Sequence, residues 1–211
     1  VNVSATVNNF AVAEIVKLSG NGTVTMLAAN EYSLDLGSTF SGSADLAAEL
    51  GVVNDAAAPA DDLAGDFTIT AADFATSGFE AFTGLSAGST RDGLSILLDS
   101  ATVGTFNGQI VLQPRSTNPS PFTVDLPAIT IHLTGEVRLS GDYNLDGTVD
   151  AADYVVWRKN GAIEGGYETW QPHFSEQSGG GAGGSVNNAV PEPGASILFV
   201  FAAAGWRRLR R

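Results

Sequence analysis

Short runs in which apolar and polar residues alternate recur through residues 1–137, and glycine, asparagine, serine or proline separates them. Period-two runs of this kind predict strands. They cover residues 1–7, 23–27, 32–36, 66–69, 94–98, 106–112, 122–126 and 129–137. Residues 19–22, Gly37-Ser38, Gly88-Ser89, Asp92-Gly93, Gly104 and the segment 114–121 supply turn chemistry between them. The predicted class is mainly β, and turn signals about every ten residues favour a two-sheet sandwich over a barrel. In the last run Ile129, Ile131, Leu133 and Gly135 fall on one face, so His132 is expected to point away from the core. Residues 1–7 share that rhythm and read either as the closing strand of a preceding domain or as the first strand of this one.

After the last strand the pattern changes. Asp142, Asn144, Asp146, Gly147, Thr148, Asp150 and Asp153 occupy positions 1, 3, 5, 6, 7, 9 and 12 of a twelve-residue loop. Calcium takes six to eight oxygen ligands, and loops of this spacing wrap short carboxylates and carboxamides around one point. Gly147 permits the sharp turn, Thr148 offers its carbonyl, Asp150 reaches the ion directly or through water, and Asp153 closes the set. Residues 150–159 read as one helix, stopped by Asn160-Gly161. The strand-like residues 133–139 upstream leave no room for an entering helix. So many carboxylates in so short a loop repel one another, so the exiting helix is expected to depend on calcium.

A loop with only the exiting helix, and with Asp at position 12, resembles a dockerin type I repeat. Dockerins carry two such repeats, and a paired dockerin implies a cohesin partner. Here residues 161–177 hold Tyr167, Trp170 and Phe174 but no Asp. The expectation is a degenerate second half whose aromatics pack on Tyr154, Val155 and Trp157, with Pro172 bending or delaying any helix. An exposed aromatic patch for sugars or a partner protein is the alternative.

The earlier part also carries a resemblance. Leu34-Asp35-Leu36-Gly37, Leu50-Gly51-Val52-Val53-Asn54-Asp55, Gly78-Phe79 with Phe82-Thr83-Gly84-Leu85, Leu94-Ser95-Ile96-Leu97-Leu98-Asp99, Gly104-Thr105-Phe106 and the closing strand resemble a choice-of-anchor D domain. That resemblance implies an immunoglobulin-like β-sandwich serving as spacer or adhesive module, with no catalytic residues.

The end of the chain reads Pro191-Glu192-Pro193, an apolar run over residues 194–206, then Arg207, Arg208, Arg210 and Arg211. The run is shorter than the roughly 17 to 25 residues of a spanning helix. Arginines after an apolar segment stay on the cytoplasmic side. This tail resembles a PEP-CTERM sorting signal of bacterial (planctomycete-like) surface proteins. It implies export, a transient inner-membrane association and processing by an exosortase-type membrane peptidase. The expected organisation is a sandwich at 1–138, a dockerin-like module at 139–177, a glycine-rich linker at 178–189 and the sorting signal at 190–211.

Composition narrows the function. The net charge is −13, and the basic residues of the tail mean the rest is more acidic still, which disfavours nucleic-acid binding and suits divalent cations. Cysteine is absent, which removes disulfides, thiolate metal sites and cysteine nucleophiles. The start at Val1 without Met reads as a piece of a longer protein. His132 and His173 belong to no metal or triad spacing, and no phosphate-binding glycine loop is present. Asn54, Asp55, Asp61, Asp62 and Asp66 are expected to form a solvated acidic loop, with a second calcium site or a glycosidase-type carboxylate pair as alternatives. The sequence therefore points to a non-enzymatic surface or matrix protein. Recruitment to a cohesin-like protein, contact with extracellular polysaccharide, and delivery of an upstream glycoside hydrolase are the other readings.

Overall fold

The computed structural model describes residues 7–120, 122–161 and 166–178. The predicted strand at 1–7, but for Val7, and the linker and tail, but for Ser178, lie outside these residues. In chain order the strands are β1 Ala13–Gly20, β2 Thr23–Ala28, β3 Glu31–Phe40, β4 Leu46–Asn54, β5 Asp62–Thr70 and β6 Ala75–Ser77. They continue as β7 Phe82–Leu85, β8 Thr90–Leu98, β9 Gly104–Asn118, β10 Phe122–Asp125 and β11 Ile129–Arg138. Two helices follow, α1 Ala151–Lys159 and α2 Gly166–His173.

The strands form two sheets. One is ordered β1-β4-β8-β6; the other is ordered β2-β3-β11-β9-β5-β7, with β10 paired to β9. All pairs are antiparallel except β3 with β11, which runs parallel over Glu31–Phe40. Leu50, Val52, Leu94 and Ile96 of the first sheet join Leu34, Ile110, Leu112, Ile131 and Leu133 of the second in one buried cluster. The chain is thus a mainly β, two-sheet sandwich. Alternation along β11 is strict, burying Ile129, Ile131, Leu133, Gly135 and Val137 and turning His132 outward to meet Glu31 at 3.0 Å. Gly135 is needed where it stands: a Cβ there would come within 2.6 Å of a Leu98 methyl on the opposite sheet.

Several expected turns are strand interiors. Gly37 lies inside β3 with φ +87°, and Asp92-Gly93 lies inside β8 beside a register shift, so both glycines serve irregularities in paired strands. Residues 114–118 continue β9. Pro114 sits where β9 changes partner, since β11 pairs with Gly104–Leu112 and β10 with Arg115–Asn118, so one side asks no donor of it.

The expected solvated loop around Asp61 is a packed junction. Asn54 is wholly buried; its amide nitrogen donates to the Asp61 and Leu85 carbonyls at 3.1 and 2.9 Å, and its Oδ1 accepts from the Val12 N–H at 3.1 Å. Asp61 is also buried, and its carboxylate accepts from Asn8, Ser116 and Asn118. The bond from Asn8 chiefly holds its pKa below the ordinary value, against the opposing effect of burial. Asp66 stands apart on β5, paired with Arg115 at 2.5 Å. These carboxylates hold strands together; they do not form a pair facing a cleft.

Candidate metal centre

The loop is entered straight from β11, with no helix before it, as the sequence predicts. Three hydrogen bonds fasten the entry to the end of β3. Ser41 N–H donates to the Arg138 carbonyl at 2.8 Å, Ser140 N–H to Ser41 Oγ at 3.1 Å, and Ser140 Oγ to the Ser41 carbonyl at 2.7 Å. The sandwich and the loop module belong to one compact unit.

Short polar side chains wind the loop by accepting backbone N–H groups. Asp142 accepts from Asp146 and Gly147 at 3.2 and 2.9 Å, Asn144 Oδ1 from Asp146 at 2.9 Å, and Asp146 Oδ1 from Thr148 at 2.9 Å. Gly147 takes φ +85°, the turn expected at position 6. Asp150 caps α1 through the Ala152 N–H at 2.6 Å. Asp153 accepts from Asp150 N–H at 2.7 Å and from Asn144 N–H at 2.9 Å, which ties the far end of the loop to its start.

Electrostatics set two of these residues apart. Asp142 is 4% exposed and Asp153 is 0% exposed. Burial raises the Asp142 pKa above the usual carboxylate value, and the negative charge of Asp153 raises it further, against the backbone donors. Neither has a cationic side-chain partner among the described residues. The donor set is entirely oxygen, which matches calcium in chemical type. Among the described residues no three His, Asp or Glu side chains are gathered closely enough to hold a metal ion as they stand. Instead, Asp150 accepts from the backbone, and Asp146 accepts from the Thr148 N–H and, at 2.8 Å, from the Asn144 side-chain amide.

The rest of the module covers the loop from one side. Val149 is fully buried, and it pairs with the segment after α2: its N–H donates to the Glu176 carbonyl at 2.9 Å and its carbonyl accepts from Ser175 at 2.8 Å. Ser178 N–H donates to the Gly147 carbonyl at 2.7 Å. This pairing was not foreseen. Its one sequence signal is an apolar Val149 among ligand-type residues.

Aromatic packing follows the expectation in part. Tyr154 meets Trp157, Tyr167 and Trp170 at ring separations of 5.6, 6.0 and 5.3 Å, and Trp170 meets Phe174 at 5.1 Å. Trp170 Nε1 donates to the Asp150 carbonyl at 2.7 Å, joining α2 to the helix cap. Val155 takes no part; it is 61% exposed because it lies on the outer side of α1. Pro172 neither delays nor prevents α2: it stands in the last turn, where its missing N–H removes a single helical bond. Pro191, Glu192, Pro193, Arg207, Arg208, Arg210 and Arg211 lie outside the described residues.

The sequence matches no protein-family model. It matches no curated protein. Among solved structures the chain is similar to the ASH/PapD-like domain of human CEP192, with 14% identity and a TM-score of 0.41 over 66% of this chain and 98% of that one. It is also similar to WR4, a C. elegans MSP family member, with 11% identity and a TM-score of 0.33 over 50% of this chain and 92% of that one. A family 123 glycoside hydrolase from Clostridium perfringens gives 10% identity and a TM-score of 0.30 over 74% of this chain and 33% of its own. Likenesses at these scores carry no argument, and the sandwich is read from the chain's own two sheets.

Proposed function

We propose that this chain is a non-enzymatic structural or adhesive protein of the cell surface or extracellular matrix. In this reading an immunoglobulin-like sandwich is joined to a calcium-stiffened module, and the tail is a sorting signal that an exosortase-type peptidase reads at Pro191-Glu192-Pro193. One observation carries it: Asp142 and Asp153 are buried carboxylates without a cationic partner among the described residues, and burial, with the charge of Asp153 beside it, raises the Asp142 pKa. Asp142, Asn144, Asp146, Asp150 and Asp153 through side chains, and Thr148 through its carbonyl, are the residues that would hold calcium. The ion would supply the positive charge that makes two buried carboxylates tolerable. With the loop entry tied to β3 by Ser41 and Ser140, a stiff loop would brace the end of the sandwich from which the module continues.

Calorimetric titration of the full chain with calcium tests this reading. One ion bound per chain, with heat lost in the Asp142→Ala and Asp146→Ala double variant, is the expected result. No heat at several millimolar calcium would sink the metal reading and leave the module as a hydrogen-bonded turn.

A further inference from the structure

The chain crosses the sandwich from one end to the other. β1 starts at Ala13 beside Asn54, the last residue of β4, and β11 finishes at Val137 and Arg138 beside Gly104 and Phe40. Asn54 lies at the same end as Asp61 and Leu85, whose carbonyls it reaches. At the other end Ser100 Oγ donates to the Ser43 carbonyl at 2.6 Å, which brings the end of β8 to the end of β3. The first and last strands therefore point the same way, and both passages are fastened. At the entry, Asn9 N–H donates to the Pro59 carbonyl and the Asn9 carbonyl accepts from Asp61 N–H, both at 2.9 Å. Ala11 N–H donates to Ser116 Oγ at 3.0 Å, and Val12 N–H to Asn54 Oδ1 at 3.1 Å. Ser116 lies on β9 of one sheet and Asn54 on β4 of the other, so residues 9–12 grip both sheets. At the exit, β11 is held by β3 on one side and β9 on the other, and Ser140 beyond it is bonded to Ser41.

We propose that the sandwich bears tension: pulled at its entry and exit, it is loaded along its strands and yields at a higher force than when two points at one end are drawn apart. The hydrogen bonds of an antiparallel pair lie across the strands. A pull along β1 or β11 must therefore break many of them together, whereas a pull across the strands opens them one after another. β1 is the weaker of the two, since among the described residues it pairs only with β4. Tension reaches residues 9–12 before it reaches β1, and their bonds to both sheets reinforce that weaker side. Had β1 and β11 pointed in opposite directions, entry and exit would lie at one end, and the same pull would peel the strands apart. A surface protein held by its tail is loaded along the chain in this way, so the use of this resistance rests on the function proposed above. The resistance itself rests on strand direction and holds whether or not the loop takes calcium.

Cysteine is absent from the chain, so a pair of introduced thiols sets the two pulling points. Val7→Cys with Leu145→Cys, both at exposed positions, loads the full chain from entry to exit. Val7→Cys with Ser89→Cys loads two points at the entry end, where the Ser89 carbonyl accepts from Asn54 N–H. Single-molecule pulling in a chelator at one loading rate is expected to unfold the sandwich in the first pair at about twice the force needed in the second, or more. Ser116→Ala removes the acceptor of the Ala11 N–H and should bring the two forces closer together, whereas a loss of stability alone would lower both alike. Equal forces in the two geometries overturn the proposal. So does a difference that Ser116→Ala leaves unchanged, because tension would then not be held at the entry. With the ion absent throughout, neither result depends on calcium binding, which the calorimetric titration tests separately.

Discussion

Asp153→Asn probes the loop with little change of shape. Asp153 is wholly buried, and its two oxygens accept the Asp150 and Asn144 N–H groups at 2.7 and 2.9 Å. The substitution turns one oxygen into an NH2 group, so one of these backbone donors faces another donor in a buried place. An unsatisfied buried donor costs about 1 to 3 kcal/mol, and partial loss of the helix cap adds about 0.5 to 2 kcal/mol. Removing the charge that raises the Asp142 pKa returns a part of this. The expected net loss is about 2 kcal/mol, roughly a thirty-fold change in the folding equilibrium of the module. The assay is urea unfolding followed by tryptophan fluorescence in a Trp206→Phe background. Trp157 and Trp170 then give the whole signal, since residues 1–156 contain no tryptophan. Far-ultraviolet circular dichroism follows the strands in the same samples. A fluorescence midpoint that moves by less than ~0.3 kcal/mol would refute the reasoning, because then the two N–H groups do not depend on this carboxylate.

Further expectations follow from other parts of the molecule. Asn54→Ala leaves the Val12 N–H and the Leu85 carbonyl unpaired within the sandwich and is expected to cost about 2 to 4 kcal/mol in the strand signal, with the tryptophan signal following only if both parts unfold together. Trp170→Phe removes the bond to the Asp150 carbonyl but keeps the ring packing, for an expected loss of about 1 kcal/mol by fluorescence of Trp157. Acid should act on the two parts in opposite senses. Asp142 has a folded pKa above its unfolded value of 3.8, so its cost is present at neutral pH and relieved as pH falls through the folded value toward 3.8. Asp66 has a folded pKa below 3.8, chiefly through its hydrogen bond to Arg115, so its contribution is present above 3.8 and lost as pH falls below it. Without calcium the module's chemical midpoint should therefore rise on mild acidification, and Asp142→Asn should flatten that rise; an unchanged slope contradicts the assignment.

Much of this architecture is legible in the alternation of apolar and polar residues. β3 and β11 show it plainly, because each strand sends one face into the core and one to water, and the outward direction of His132 follows from the same count. β4 does not show it. Leu46–Asn54 reads Leu-Ala-Ala-Glu-Leu-Gly-Val-Val-Asn; Leu46, Ala48, Leu50, Val52 and Asn54 are buried in alternation, but Ala47, Gly51 and Val53 between them are not polar, so the residue types hide the period. Its state as a strand comes from pairing with β1 and β8, which no local window contains. Gly37 and Gly93 mislead for a related reason: the same residue serves a turn or a bulge, and only the neighbouring strand decides which. In the module the ligand spacing, the Asp150 cap and the Asn160 stop are all written locally. The pairing of Val149 with Ser175 and Glu176 is not, since backbone groups so far apart along the chain leave no mark on composition. The buried state of Asp61 is equally hidden, because its partners, Asn8 near the start of the chain and Ser116 and Asn118 on β9, are brought to it from two distant segments.

The central claim is that calcium stabilises the loop module, and a melt with and without the ion tests it most directly. Tryptophan fluorescence of the Trp206→Phe chain would be recorded against temperature in calcium and again in a chelator. At calcium about one hundred times the dissociation constant, binding to the folded form alone adds about 2.7 kcal/mol. The module transition should then move up by several degrees, while the strand signal of the sandwich stays where it was. Superimposed fluorescence transitions in calcium and chelator would contradict the account.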